Sequence, residues 1–99
     1  MNPAMMNKIK KMQRDMLEAQ QKINESIFSA TAGGGLVRVE ATGEKQIVKI
    51  EIDADALNPE DKEMLEDSIV AAINDVMRQI DEETHDVMGA FTGGLPGFF

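Results

Sequence analysis

The single histidine, His85, follows Asp81 by four residues, so on a helix the two would face the same way and could share a metal ion. Two such groups among many carboxylates make a thin metal site, and the expected reading is a solvated helix face. Ser26, Ser29 and Ser68 have no neighbouring base and no nucleophile-elbow context. The absence of cysteine removes thiol catalysis, disulfide scaffolds and cysteine-rich zinc sites. Gly33-Gly34-Gly35 precedes a strand-like run and lacks a following Lys-Ser/Thr pair at a helix start, so it reads as a turn and not as a phosphate loop. Asp53 with Asp55, and Asp81 to Glu83, are carboxylate clusters without pocket-forming surroundings. The expectation is a non-enzymatic chain with no catalytic residue, no metal and no cofactor.

Cations remain. Lys8, Lys10, Lys11, Arg14 and Lys22 stand against Asp15 and Glu18 in the first 22 residues. Lys8, Lys11 and Arg14 are three apart and share a helical face, with Lys10 set apart. Such a group suits phosphates, and contacts of this kind are strongly salt-dependent. There is no helix-turn-helix signal, zinc finger or arginine cluster, so any DNA contact would run through the backbone. Tryptophan and tyrosine are absent and only four phenylalanines occur, which argues against a base-stacking platform.

The elements that position these residues follow from periodicity. Met5, Ile9, Met12, Met16, Ala19 and Ile23 recur at spacings of four and three, a heptad seam within a helix from about Asn2 to Glu25. It reads as a core stripe or as a seam shared with a second chain. Three short strands follow: Ile27 to Thr31, Leu36 to Thr42 and Lys45 to Asp53. A two-residue loop at Gly43-Glu44 would set Val39 opposite Val48, Val37 opposite Ile50, and Arg38 opposite Lys49. Asn58-Pro59-Glu60-Asp61 predicts a capped start for a second helix running to about Val87, with Gly89 as its stop. Domain limits of 1–88 follow, with 89–99 a flexible Gly/Pro/Phe tail.

Both helices outrun a seven-residue strand, so Met5, Met6 and Ile9 at one end, and Ile80 and Val87 on the other helix, are expected to overhang the sheet. Pairing with a second copy, or packing of the two helices against each other beyond the sheet, would cover them. The formal net charge of −8 conceals a division: residues 1–49 carry +3 and residues 50–99 carry −11. No apolar run is long enough for a membrane span, and the opening residues lack the apolar core of a secretory signal. The lack of cysteine suits a reducing compartment.

The order of these segments resembles a known family. A Met/Lys/Gln-rich amphipathic helix precedes Ala32-Gly33-Gly34-Gly35-Leu36-Val37-Arg38-Val39 and then Val48-Lys49-Ile50-Glu51-Ile52-Asp53. Asn58-Pro59-Glu60-Asp61-Lys62-Glu63-Met64-Leu65-Glu66-Asp67, Ala71-Ala72-Ile73-Asn74-Asp75 and the Gly94 to Phe98 ending complete the pattern. Over essentially the whole chain this is similar to the YbaB/EbfC family of bacterial nucleoid-associated proteins, most specifically from Pro59 to Asp75. The resemblance implies an α+β fold of order α-β-β-β-α, with a three-stranded antiparallel sheet and two long helices. It also implies a homodimer with projecting helices, duplex DNA as partner, cytoplasmic and nucleoid location, and a role in regulating gene expression. Carried over, the DNA-binding residues are Lys8, Lys10, Lys11 and Arg14, followed by Lys22 and Arg78. The seam residues are Met5, Ile9, Met12, Met16 and Ile23. A second reading, a protein-interaction adaptor of unknown partner, draws on the Met-rich helix, the acidic second helix and the tail with Leu95, Phe98 and Phe99.

Overall fold

The structure, a computed structural model, describes residues 2–92. Helix α1 spans Pro3–Glu25. Its start is set by Asn2, whose Oδ1 accepts the Met5 amide at 2.8 Å, with Pro3 in the first turn where a missing N–H costs nothing. Its end is set at Ser26, whose backbone turns extended while its hydroxyl donates to the Lys22 carbonyl at 2.6 Å. Strands β1 (Ile27–Ala32), β2 (Val37–Thr42) and β3 (Ile47–Ile52) form one antiparallel sheet in that order. Two 3-10 turns, Ala54–Ala56 and Pro59–Asp61, lead into helix α2, Lys62–Thr92. The expected α-β-β-β-α order is what the chain adopts.

The β2–β3 hairpin departs from the expected register for a definable reason. The loop holds three residues, Gly43 to Lys45, because the Thr42 amide donates to the Gln46 carbonyl and Lys45 takes a left-handed φ of 65°. That is the geometry of a three-residue hairpin loop, one residue longer than predicted. One extra residue would turn β3 over. A bulge between Glu40 and Ala41, absorbing Val48, adds a second shift and turns it back. Ile47 therefore joins the core opposite Ala41, and beyond the bulge Val39 faces Ile50 and Val37 faces Ile52. The expected like-charge pair disappears. Arg38 stands opposite Glu51 and Glu40 opposite Lys49, with Lys49 and Glu51 also paired along the strand at 2.6 Å. That pairing raises the Lys49 pKa and lowers that of Glu51, mainly through the hydrogen bond between them.

Helix α2 packs across β1 and β2. Ala30, Val37, Val39 and Ala41 meet Ala72, Val76 and Ile80 in the core. A fully buried valine or isoleucine contributes roughly 1.5–3 kcal/mol, so Val37, Val39, Val76 and Ile80 are the strongest single contributors among them. Ile80 is 1% exposed and does not overhang as expected, since α2 lies over the sheet as far as that residue. The expected stop at Gly89 is also passed: α2 runs on to Thr92, and Phe91 lines a crevice against α1. Packing along α1 offsets the ~1 kcal/mol a glycine costs inside a helix. Thus the 1–88 limit falls inside a helix, and the flexibility expected for 93–99 lies outside the described residues. Asn58 does not cap by side chain either; its amide donates to the Asp55 carbonyl at 3.0 Å.

One glycine fixes where α1 leaves the sheet. A Cβ on Gly43 would stand 1.8 Å from the Ile23 carbonyl oxygen, so the α1 terminus and the hairpin touch backbone to backbone. From there α1 and the end of α2 run antiparallel away from the sheet, giving a molecule of 69 × 24 × 15 Å.

Candidate nucleic-acid interface

Two features leave the sheet's protection: the N-terminal half of α1, and the β3 edge. Every residue of α1 from Pro3 to Lys11 is exposed. The seam predicted along it uncovers progressively toward the tip. Ile23 is buried, Met16 and Met12 are half-buried, and Met5 is 52% exposed with Ile9 at 37%. Met16 and Met88 line one apolar groove between the helices, and from Met12 to Ile23 the seam is at least partly covered by the same chain. The tip of α1 is thus an arm with an unpartnered apolar stripe.

Cations crowd this arm. Residues 1–14 hold Lys8, Lys10, Lys11 and Arg14 and no carboxylate. The first turn of α1 has no acidic residue, so no side-chain charge offsets the positive end of the helix dipole at the tip. Lys8 to Arg14 spans about 9 Å along the axis. Lys11 Nζ meets Asp15 Oδ2 at 2.7 Å, an exposed i,i+4 pair of small worth. Lys8, Lys10 and Arg14 form no ion pair with another described residue.

The structure separates the other two predicted cations from this group. Lys22 lies two turns beyond Arg14, on the rim of a crevice with Asp15, Glu18 and Glu83. Arg78 is held on α2 between Asp75 and Glu82, with the Glu82 contact at 2.7 Å. Those carboxylates raise the Arg78 pKa, while the Arg78 hydrogen bond holds the Asp75 carboxyl below its ordinary value. A guanidinium already satisfied by two carboxylates is a poor ligand for phosphate.

The crevice between α1, β1 and the end of α2 was not foreseen. Phe28, Val87 and Phe91 contribute apolar surface, and Asp15, Glu18 and Glu83 carry negative charge against Lys22. Its signal in the sequence, acids on α1 and α2 near apolar residues, has meaning only once the two helices are known to lie side by side. Asp81 and His85 belong to the acidic part of α2, and among the described residues no group of three or more His, Cys, Asp or Glu is placed to hold a metal ion. Nor is any helix of the described residues long and apolar enough to cross a membrane.

On β3, Val48, Ile50 and Ile52 remain 51, 44 and 38% exposed. Ile50 and Ile52 share the core face with Val39 and Val37, yet α2 packs chiefly on the first two strands. This is an apolar extension of the core, open to solvent.

Comparison with known proteins places this geometry. The sequence matches the YbaB/EbfC DNA-binding family over residues 1–95. A nucleoid-associated protein of Oceanobacillus iheyensis is 50% identical over 100 residues, covering 96% of each chain. One from Pelotomaculum thermopropionicum is 45% identical over 97 residues, covering 96% of this chain and 92% of the relative. An uncharacterized protein of Helicobacter pylori, solved by crystallography, superposes with a TM-score of 0.65 at 26% identity, covering 80% of this chain and 92% of that one.

Proposed function

Since this chain belongs to the YbaB/EbfC DNA-binding family, we propose that it acts as a homodimer that grips duplex DNA through the backbone phosphates. The observation that carries this reading is the α1 arm, where Lys8, Lys10, Lys11 and Arg14 project from the sheet without a carboxylate among them. Amines and one guanidinium on a helix exterior match phosphate oxygens by charge and lack the paired geometry that reads base edges. Binding is therefore weakly selective for sequence. That suits a protein that coats the nucleoid and influences gene expression by occupancy. The relatives' names as nucleoid-associated proteins support the same location, within the cytoplasm.

The homodimer rests on β3. A second copy laid over Val48, Ile50 and Ile52 would complete a core that one chain leaves open. It would also double the number of cationic arms. The arms supply positive charge locally while the assembly stays negative, because screening confines each field to about 8 Å at physiological salt.

Fluorescence anisotropy with duplexes of unrelated sequence tests the reading. With about six phosphates neutralised per dimer, log affinity should fall against log salt with a slope near −5, equally for all duplexes. Binding that ignores salt, or a single duplex bound far above the rest, would overturn it. Light scattering alongside should give twice the chain mass or an even multiple of it.

A further inference from the structure

We propose that the acidic crevice between α1 and α2 seats the α1 arm of a second copy of this chain, with Met6 and Ile9 entering it and Lys8 and Lys10 meeting Glu18 and Glu83. The crevice has a volume of about 620 Å³, within the range of sites that enclose a drug-sized group. Phe28, Val87 and Phe91 give it apolar walls, and three carboxylates face one lysine around it. Glu82 and Asp86 extend the negative border beside Phe28. The chemistry that fits is an apolar stripe flanked by cations.

The arm has that chemistry. Met6 is 45% exposed and Ile9 is open beside it. Lys8 and Lys10 sit one residue to either side of Ile9, which places them about 100° to each flank of the stripe. An arm seated by its stripe would turn both lysines toward carboxylates on either side. Its own crevice is out of reach: Ile9 lies about 15 Å from Ala19 along the same unbroken helix. The occupant must come from another copy. This pairing uses surfaces distinct from β3 and needs no DNA. It either exchanges arms reciprocally or links copies head to tail.

The chain contains no cysteine, so single-cysteine versions report the contact cleanly. Full-length Met6→Cys is mixed with Ala19→Cys, a crevice-lining position, and mild oxidant is added. A control mixture pairs Met6→Cys with Ala71→Cys, an exposed site on the outer face of α2. The mixed disulfide should form at least about tenfold faster in the first mixture, because contact raises the local thiol concentration. Glu18→Lys with Glu83→Lys in the Ala19→Cys chain should abolish the advantage. Lys8→Glu with Lys10→Glu in the Met6→Cys chain should then restore it. Equal rates in the two mixtures overturn the proposal, including the case where residues 93–99 of the same chain fill the crevice. A rate advantage indifferent to the charge reversals overturns it as well. None of these readouts depends on whether the chain binds DNA.

Discussion

The two helical ends that extend past the sheet are built alike and charged oppositely. The start of α1 has four cations, no carboxylate before Asp15 and the positive end of its dipole. The end of α2 has Asp81, Glu82, Glu83 and Asp86, no basic residue in its last turn, and the negative end of its dipole. Neither end carries a side-chain charge that neutralises the backbone field: the first turn of α1 has no acid and the last turn of α2 no base. Stability alone would favour acids at the start and bases at the end. That both are missing is in keeping with the proposal that the α1 end meets an external partner. The opposite charging of the two ends explains how a chain of net charge −8 can bind an anion: opposite charges are segregated along a molecule 69 Å long.

The contrast breaks most sharply in Lys8→Ala/Lys11→Ala/Arg14→Ala. Six cations leave a dimer, so the salt slope of duplex binding should flatten by about five units, in anisotropy measured from low salt upward. Matching neutralisation of Glu82 and Glu83 should not weaken binding at all. Ile50→Lys comes next. A charge on the open β3 face should halve the mass seen by light scattering and reduce the salt slope by about half, since one arm then acts alone. Gly43→Ala tests the mounting of the arm rather than its charge. The new Cβ meets the Ile23 backbone, so thermal unfolding should show a loss of about 1–3 kcal/mol.

Arg78→Ala should do least. Its guanidinium is occupied by Asp75 and Glu82, so duplex affinity should stay within about twofold of the parent. The readable change is the Asp75 carboxyl, followed by NMR titration. In the parent its pKa is lowered, chiefly by the Arg78 hydrogen bond, and in the variant it should rise toward the ordinary aspartate value. A lowered folded pKa means the pair stabilises above the unfolded carboxyl range and is lost as pH falls through the folded value. The variant should therefore give up that small contribution at neutral pH, match the parent once pH falls below the folded value, and so lose that part of the acid sensitivity.

Local chemistry was readable in the sequence; register and long-range pairing were not. The extent of α1, about Asn2 to Glu25, was legible because its apolar period is written in neighbouring residues. The strand faces were also legible, since alternation survives a shift of two. The shift itself was hidden: no residue type marks Lys45 for a left-handed turn or Val48 for a bulge. Gly89 misled because a glycine weakens a helix only by about as much as one good packing contact restores. At the candidate site the four arm cations were legible as a cluster. Arg78 ranked below them, and its two carboxylate partners, three and four residues away on one face, set it further apart. The crevice needed the antiparallel approach of α1 and α2, which joins residues some 65 positions apart.

The backbone contact between Gly43 and Ile23 makes the end of α1 a fulcrum. From Ile23 to Asn2 the helix reaches about 30 Å, so a tilt of roughly 10° at that pivot swings the tip by about 5 Å. That displacement exceeds the 3.4 Å advance from one nucleotide to the next along a strand. A missing methylene in a hairpin far from any lysine thereby sets where the arm's charges are aimed.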